Sequence, residues 1–327
     1  MPATQISKET ALANAINAYI VDMAQEWQTP IKNSLEIETM IDSVYCLETY
    51  AEPNVDFKNL IQAYQGGFTP SGLVNVGAHS NKLQSMKTDL QFNEEQLEKF
   101  GNSQFPLYHP AGDATLEDNQ FIQKLLNELF FEGWKDELNL VSIKGIRVAP
   151  TPGTAGTVLG SVDGFEKVFT DLNTSGDLNT INTGAITEAD IYDQIQAALD
   201  VIPKTISRQG GCIYLSPTQA VWYSRAYKLK HPLALVVTGN ASGSILTIDE
   251  YPNFEVKTLT EREGANTVWI DIKYRGKTNM ITLKHKVKSD MPSLQAYPVA
   301  RGLNLTSSWH RGYGIRRYEF TYVTRTA

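Results

Sequence analysis

The stretch Met86-Lys87-Thr88-Asp89-Leu90-Gln91-Phe92-Asn93 alternates between two kinds of side chain. Met86, Thr88, Leu90 and Phe92 occupy every second position, and charged or amide residues lie between them. Because successive side chains of a strand point to opposite faces, this period of two predicts a β-strand with one buried face. The stretch decides the fold because it is the one clear strand in a long region that otherwise interrupts regular structure.

Glycine, proline and amide residues are frequent on both sides of that strand, from about residue 55 to residue 110. Gly66, Gly67, Pro70 and Gly72 would interrupt any helix there. Connections of this length are uncommon unless they are functional or docked on a partner. A single strand has no neighbour on which to bury its apolar face in an isolated monomer. We therefore predict an extended loop whose strand is covered by another copy of the chain.

The clearest predicted helix follows this loop, over residues 116–138. Thr115 offers an N-cap hydroxyl and Asp118 a carboxylate three residues on, which places negative charge at the positive end of the helix dipole. At 1.5 Å per residue this helix is about 34 Å long. A short strand over residues 143–148 and a Gly/Thr/Pro-rich loop over residues 150–161 are predicted next. The apolar residues that recur at helical spacing are Ile122, Leu125, Leu126, Leu129, Phe130, Trp134 and Leu138.

An amphipathic helix is also predicted near the N-terminus, and Pro30 ends it. Nothing else in the first 55 residues could form a core of its own. We therefore expect this helix to pack on the rest of the chain or on a neighbouring copy. The apolar residues that share its face are Leu12, Ile16, Tyr19, Ile20, Met23 and Trp27.

The second half of the sequence is typical of an α/β unit followed by further strands. A helix is predicted over residues 191–202, with Pro203 as its stop. Ser216 opens the next helix as an N-cap residue, with Pro217 at the first helical position and Gln219 at the third. The predicted strands are residues 212–215, 233–237, 245–248, 254–259, 267–274, 279–285 and 317–323, with a hairpin turn at residues 275–277.

The composition is that of an ordinary folded protein. Of the 327 residues, 42% are hydrophobic and 20% are charged, which excludes a disordered or collagen-like chain. No apolar run is longer than residues 233–237, so we expect no membrane-spanning helix and no membrane partner. The first five residues lack the features of a signal peptide, and two cysteines, Cys46 and Cys212, cannot build a disulfide framework. We therefore expect a soluble protein made in a reducing cytoplasm.

The net charge of −7 conceals a strong asymmetry along the chain. Residues 273–327 contain 11 Lys and Arg against 2 Asp and Glu, a balance of +9 that leaves −16 for the other 272 residues. Three interpretations stay open for this basic segment: a solvated sheet face with lysines protecting an edge strand, a surface that docks on an acidic surface of a neighbouring copy, or a surface that faces packaged phosphates. The candidate contact residues are Lys284, Lys286 and Lys288, which alternate along one predicted strand edge, and Arg316 and Arg317.

No catalytic, cofactor or metal site can be picked out from the residues. Gly153, Gly156 and Gly160 lack the neighbouring lysine of a phosphate-binding loop. The five histidines have no partner at the spacing that zinc ligands take. The two cysteines lie in apolar stretches, where a thiol is usually an inert small hydrophobe. We therefore expect a protein that is not an enzyme and that holds no cofactor.

The order of these elements resembles that of the major capsid proteins of tailed bacteriophages, which have the Hong Kong 97-like fold. An N-terminal arm is followed by a long loop around one two-faced strand, one long helix, a compact α/β unit and a return of strands. Three local stretches of sequence also resemble this family: Ile143-Lys144-Gly145-Ile146-Arg147-Val148-Ala149-Pro150-Thr151-Pro152-Gly153, Val162-Asp163-Gly164-Phe165 and residues 191–217. The resemblance rests on order and spacing over most of the chain, and on no catalytic motif.

The resemblance implies how the chain is divided and what it does. It implies an α+β, Hong Kong 97-like fold with an N-terminal arm (1–54), an extended loop or E-loop (55–112), a peripheral domain with the long spine helix (113–149), an axial α/β domain (150–285) and a return to the peripheral domain (286–327). Copies of such a virion protein form hexamers and pentamers of an icosahedral shell around double-stranded DNA, and each extended loop lies over a neighbouring subunit.

The implied partners follow from the same resemblance. They are other copies of the chain, a separate scaffolding protein, portal and decoration proteins, and packaged DNA that contacts the inner face without sequence preference. Such a protein is made in the cytoplasm of the bacterial host and resides in the virion. Two alternatives stay open: an encapsulin-like shell that encloses protein cargo, and a phage tail or baseplate protein that forms stacked rings.

Overall fold

Two multi-stranded sheets and a separate two-stranded hairpin make up the part of the chain that the structure describes. The computed structural model describes residues 10, 13–14, 16–18, 35–58, 73–93, 95–96, 132–231, 246–248, 251–287, 294–300 and 302–325. The helices are α1 (Glu36–Met40), α2 (Glu132–Lys144), α3 (Phe165–Ser175), α4 (Ile191–Val201), α5 (Lys204–Ser207) and α6 (Pro217–Lys230). The strands are β1 (Asp42–Cys46), β2 (Thr49–Lys58), β3 (Leu73–Lys82), β4 (Gln84–Asn93), β5 (Asn179–Asn182), β6 (Gly211–Leu215), β7 (Leu246–Ile248), β8 (Tyr251–Thr258), β9 (Trp269–Ile272), β10 (Met280–His285), β11 (Gln295–Val299), β12 (Gly302–Ile315) and β13 (Thr321–Arg325).

The 14-residue strand β12 organises the five-stranded sheet. It pairs antiparallel with β4 over ten residues, from Gly302 opposite Asn93 to Arg311 opposite Gln84. It also pairs with β11 along its first five residues and with β10 along its last five. The short strand β1 adds to β10 in parallel. This sheet forms the main core together with α2 and α3.

The alternating stretch 86–93 lies within β4, so the predicted strand is confirmed, but its predicted lack of a partner within the chain is wrong. Its partner, β12, lies far downstream in the sequence, where local periodicity cannot pair the two. Met86 and Phe92 pack against the main core, and Thr88 is half-buried. Leu90, with 38% of its surface exposed, is the least buried of the four predicted inward positions.

The strand β12 is not among the predicted strands, although a period of two is present in its sequence. Leu303, Leu305, Trp309, Tyr313 and Ile315 are all buried and occupy alternate positions. Two polar residues interrupt the apolar series at the same inward positions, and both are buried as well: Ser307 and Arg311. A strand with polar residues on its buried face is not recognisable from hydrophobicity alone.

The six-stranded sheet has the order β5-β13-β9-β6-β8-β7 and contains the predicted α/β unit. The helices α4 and α6 pack on it, and together they form the second core. The predicted start of α6 is confirmed as a capping box: the Ser216 hydroxyl accepts from the Gln219 backbone N–H (3.2 Å), and the Gln219 side chain accepts from the Ser216 N–H (3.0 Å). The predicted turn is present, with Arg275 at φ 53° and Gly276 at φ 78° between the bridged residues Tyr274 and Lys277. The predicted hairpin is wrong, because β9 and β10 on either side of the turn lie in different sheets.

The two sheets exchange strands along the chain. β10 follows the turn after β9, yet it belongs to the five-stranded sheet, whereas β13 near the C-terminus returns to the six-stranded sheet. A division of the chain between residues 285 and 286 therefore does not separate the two sheets. The predicted strand at residues 317–323 is corrected to a short 3-10 turn, Tyr318–Phe320, followed by β13.

The helix α2 continues beyond its predicted end at Leu138 and takes in Ile143 and Lys144, so the predicted strand at residues 143–148 is wrong. Trp134, Leu138, Val141 and Ile143 are buried at helical spacing, which favours helix over strand. The helix stops at Gly145, where a Cβ atom would lie 2.3 Å from the Val162 carbonyl oxygen.

Several predictions fall partly or wholly outside the described residues. They are the helix over residues 116–131, the strand at 233–237, most of the N-terminal helix, and Lys288. Residues 13–14 and 16–18 are helical, as predicted, and Ala13 and Ile16 are buried. Asn17 anchors this segment because its side chain donates to the Ala296 carbonyl (2.9 Å) and accepts from the Ala296 N–H (2.8 Å). Within the part of the chain that the structure describes, we find no helix long and apolar enough to cross a membrane.

Candidate assembly surface

The hairpin formed by β2 and β3 is a two-stranded sheet of its own. Ten residue pairs join its strands, from Thr49 opposite Lys82 to Lys58 opposite Leu73. Ten residues of strand span about 33 Å. Neither strand pairs with any other strand among the described residues. An isolated two-stranded hairpin is at best marginally stable in water, so this one needs a surface to rest on.

The register of the hairpin gathers apolar residues on one face. Val55 lies opposite Val76, and Phe57 lies opposite Val74. Residues that are opposite each other, or two apart along a strand, share a face of the ribbon. In this register Val55, Phe57, Val74 and Val76 belong to the same face of the ribbon.

The root of the hairpin, by which we mean the end of β3 at Asn81 and Lys82, lies against the end of β12. Buried Asn81 imitates a backbone pairing: its side-chain amide donates to the Ile315 carbonyl (2.7 Å), and its side-chain oxygen accepts from the Ile315 N–H (3.2 Å). A Cβ atom at Gly314 would lie 2.1 Å from the Asn81 side-chain oxygen, and one at Gly312 would lie 2.4 Å from the Lys82 carbonyl oxygen. Only glycine at these two positions lets the strands approach so closely.

Arg316 fixes the root at a second point. Its guanidinium donates to the Thr278 carbonyl (3.0 Å), to the Tyr50 hydroxyl (3.2 Å) and to the Glu52 carboxylate (3.4 Å). The Asp42 carboxylate lies 3.9 Å away. Burial, together with the hydrogen bond to Glu52, raises the pKa of Tyr50 to about 12, so Tyr50 stays a neutral hydroxyl at every physiological pH. Through these hydrogen bonds to Arg316, Tyr50 and Glu52 of β2 attach the hairpin to the end of β12.

These contacts locate two of the predicted contact residues. Arg316 is buried and directed into the subunit, and Arg317 donates to the Tyr274 hydroxyl (3.2 Å) and pairs with Glu319 (3.4 Å). Both guanidinium groups are therefore engaged within the subunit.

The predicted lysines lie at the other end of β10. Lys284 is half-buried, and its strand lies between β1 and β12, so the prediction that it lies on a strand edge is wrong. Lys286 is exposed just beyond the strand, where its backbone N–H donates to the Cys46 carbonyl (2.9 Å). The structure does not describe Lys288. Beside the two described lysines lie three exposed apolar side chains: Tyr45, Leu47 and Val287.

Several charged residues are buried, which hydrophobic periodicity does not predict because it treats every charge as exposed; Arg311 and Asp271 are two of them. Arg311 on β12 forms an ion pair with Glu38 of α1, and the Tyr313 hydroxyl donates to the same carboxylate (3.1 Å). Asp271 on β9 accepts from the backbone N–H groups of Asn279 (3.3 Å) and Met280 (3.0 Å), at the start of β10. The ion pair joins elements that are far apart in the sequence, and Asp271 joins two consecutive strands that lie in different sheets.

No reactive centre is apparent in the described ranges. No group of three or more His, Cys, Asp or Glu residues there could hold a metal ion. Both cysteines are buried, which raises the pKa of the Cys46 thiol and raises that of Cys212 to about 11. Thiols with such pKa values are protonated and unreactive at neutral pH.

No protein-family model matches the sequence, and no curated protein is similar to it. Solved structures do match over nearly the whole chain. The capsid of a native GTA particle is 10% identical over 90% of both chains, with a TM-score of 0.56. Gordonia phage Cozz is 11% identical over 90% of this chain and 86% of the other, with a TM-score of 0.53. The procapsid of satellite phage P4, which includes the size determination protein, is 10% identical over 93% of this chain and 99% of the other, with a TM-score of 0.52.

At these identities the similarity establishes the fold alone. It agrees with the mixed α and β architecture described above. The predicted resemblance to major capsid proteins of tailed phages is confirmed at this level: the chain has the α+β, Hong Kong 97-like fold of phage capsid proteins.

Proposed function

We propose that this chain is a major capsid protein whose copies assemble as hexamers and pentamers into an icosahedral shell around the double-stranded DNA of a tailed phage. The observation that carries the proposal is the β2–β3 hairpin on a capsid fold. The hairpin is long, and no described strand outside it pairs with it. Packing of this hairpin on a neighbouring copy supplies a driving force for assembly, because it removes apolar surface from water.

The contact has the geometry that closes rings. A hairpin of one copy that rests on a different surface of the next copy makes a heterologous contact, and such contacts form rings when the rotation closes. Each contact can be weak, because many of them act together in a closed shell. The C-terminal segment is basic and the rest of the chain is acidic, so opposite charges on neighbouring copies add to their attraction.

The domain assignment follows the same proposal, with one adjustment. We place the extended loop in the segment that contains β2 and β3, so that it begins at Thr49 rather than at residue 55. The five-stranded sheet and α2 correspond to the peripheral domain, and the six-stranded sheet with α4 and α6 corresponds to the axial domain. The subunit resides in the virion after its synthesis in the host cytoplasm. Its partners are further copies, a scaffolding protein, portal and decoration proteins, and packaged DNA.

The test is expression of the full chain, alone and with candidate scaffolding proteins from the same genome, followed by negative-stain electron microscopy and size-exclusion chromatography. We expect rings, tubes or closed shells. A chain that remains monomeric at high concentration under both conditions would contradict the proposal. Stacked rings without closed shells would support a tail or baseplate protein instead. Closed shells with a low ratio of absorbance at 260 to 280 nm and co-purified protein cargo would support an encapsulin-like compartment.

A further inference from the structure

We propose that the free edge of β1 accepts an extended, acidic segment of a second protein as an added strand. An exposed edge strand offers unpaired N–H and C=O groups on which another chain can pair, and natural proteins usually protect such edges. Among the described residues, the five-stranded sheet has three edge strands: β1, β4 and β11. They differ in how they are protected, and this difference holds whether or not the chain forms a shell.

Two of these edge strands are protected. On β11, the Asn17 side chain donates to the Ala296 carbonyl (2.9 Å) and accepts from the Ala296 N–H (2.8 Å), so it occupies backbone groups that face away from β12. Pro298, two residues further on, has no N–H to offer to a new strand. On β4, exposed Lys87 and Asp89 form an ion pair. Charged side chains on an edge strand oppose the addition of another strand.

The backbone of β1 presents an edge without such protection. The Lys286 N–H donates to the Cys46 carbonyl (2.9 Å), so the backbone groups of Cys46 face β10. Successive residues of a strand direct their N–H and C=O groups to opposite sides, so those of Ser43 and Tyr45 face away from β10. No described strand lies on that side of β1. These residues therefore offer donors and acceptors at the spacing that a further strand requires.

The side chains along this edge also favour a partner strand. Ser43 is exposed, and Tyr45 and Leu47 have 59% and 58% of their surface exposed. Residues 43–47 contain no proline and no charged residue. When a peptide adds to the edge of a sheet, main-chain hydrogen bonds supply affinity and contacts with alternate side chains supply specificity. The edge of β1 offers both kinds of contact.

The charge beside the edge indicates which segment it accepts. Lys284 lies opposite Tyr45 on β10, and exposed Lys286 follows it. An added strand lies two strand spacings, about 10 Å, from β10, so its acidic side chains can approach these lysines. Of the carboxylates at the ends of β1, Asp42 already accepts a backbone N–H (3.0 Å), and Glu48 lies beyond the strand. Addition of β1 from a second copy would instead bring the lysines of both copies together, which favours a different protein as the occupant.

The first test uses a peptide probe and the unaltered full chain. A fluorescein-labelled nine-residue peptide in which valine and glutamate alternate is titrated with the chain, and fluorescence anisotropy measures binding. We expect the affinity to fall roughly tenfold when lysine replaces every glutamate. We expect no binding when two adjacent central residues are N-methylated, because strand addition needs the peptide N–H groups. No binding of the glutamate peptide, or equal binding of either control peptide, would overturn the proposal.

The second test alters the edge itself. Tyr45→Pro removes an N–H that faces away from β10, whereas Tyr45→Thr removes the ring but keeps the N–H and the preference for a strand. We expect the affinity for the glutamate peptide to fall roughly tenfold in the proline variant and no more than roughly threefold in the threonine variant. Circular dichroism checks that both variants are folded. Equal losses in both would overturn strand addition, and if the proline variant does not fold, the N-methylated peptide decides.

The third test asks whether a second copy occupies the edge. Tyr45→Cys places one reactive thiol there, since both native cysteines are buried. After treatment of the full chain with a short bis-maleimide, we expect no cross-linked dimer. A dimer formed through this cysteine would assign the edge to a second copy and overturn the proposal.

Discussion

At the scale of single residues, Asp271 is a carboxylic acid enclosed between the two sheets. Burial raises its pKa from an ordinary value of 3.8 to about 8, although two backbone N–H groups donate to it and oppose that shift. Between these two pH values the folded chain holds a proton that the unfolded chain has released. Stability is therefore fully retained below about pH 4 and decreases as the pH rises toward about 8.

Asp271→Asn should remove that slope, because an amide does not ionise. The variant should also be less stable at low pH by about 1–3 kcal/mol. In wild type each carboxyl oxygen of Asp271 accepts a hydrogen bond from a backbone N–H, and the NH₂ group of the asparagine cannot replace one of these acceptors. Urea unfolding of the unassembled subunit at pH 5 and pH 8 measures both effects, with exposed Asp136→Asn as the control. Equal pH slopes for wild type and Asp271→Asn would contradict this assignment.

The ion pair between Glu38 and Arg311 is a second residue-scale feature, with Arg311 fully buried. Loss of one partner leaves a buried charge unpaired, so Glu38→Leu and Arg311→Met should each destabilise the subunit by about 3–5 kcal/mol. The double variant should cost much less than the two single variants together, because it removes both charges. A double-mutant cycle by chemical denaturation measures this coupling, and strictly additive losses would show that the two side chains act independently.

At the scale of elements, the direction of the hairpin depends on its root. Asn81 and Arg316 connect it to β12 at two points, and Gly312 and Gly314 let β3 lie close. The sheets themselves do not depend on these contacts. In the proposed assembly, the root therefore sets the angle between a subunit and the neighbour on which its hairpin rests, and through that angle the curvature of the shell.

Asn81→Ala should let the hairpin adopt a range of angles relative to β12 while the subunit stays folded, because it removes both hydrogen bonds to Ile315. We expect particles of mixed diameter, or open sheets and tubes, where wild type forms particles of one size. Gly314→Ala should have the same effect by pushing Asn81 away. Particle diameters from electron microscopy measure the change, and Asn173→Ala on the exposed side of α3 is the control. A diameter distribution like that of wild type in both variants would show that the root does not set the curvature.

At the scale of the whole molecule, the charge asymmetry is smaller than the sequence indicates. Among the described Lys and Arg residues of the basic segment, three contact carboxylates of their own subunit: Arg311, Arg316 and Arg317. Lys286 is exposed just beyond β10, beside exposed Tyr45, Leu47 and Val287, a combination that suits a protein partner.

Lys284→Gln/Lys286→Gln/Lys288→Gln should therefore weaken assembly at low salt and reduce its dependence on salt concentration, because complementary charge acts mainly at low ionic strength. Light scattering during assembly between 50 and about 500 mM salt measures both effects. Lys228→Gln/Lys230→Gln on α6 is the control. Unchanged assembly with less DNA retained in the particles would assign the lysines to the inner, phosphate-facing surface.

Local patterns predicted the elements whose information lies within a few residues. The capping box at Ser216, the turn at Arg275-Gly276, the strand at residues 86–93 and the helices α4 and α6 were recognised, because side-chain spacing and backbone conformation act at that range. The end of α2 was missed because the burial of Ile143 that extends the helix depends on distant partners. β12 was missed because its buried face contains Arg311, whose charge is neutralised by a residue 273 positions away.

Local patterns along the sequence establish that the chain is folded, that its elements follow the order typical of capsid subunits, and that its charge is divided along the chain. Tertiary structure is needed to see that β4 pairs within the subunit, that among the described strands β2 and β3 pair only with each other, and that three of the basic side chains are engaged internally. Sequence patterns report local backbone preference, whereas strand pairing and the burial of charges depend on residues that meet only after the chain has folded.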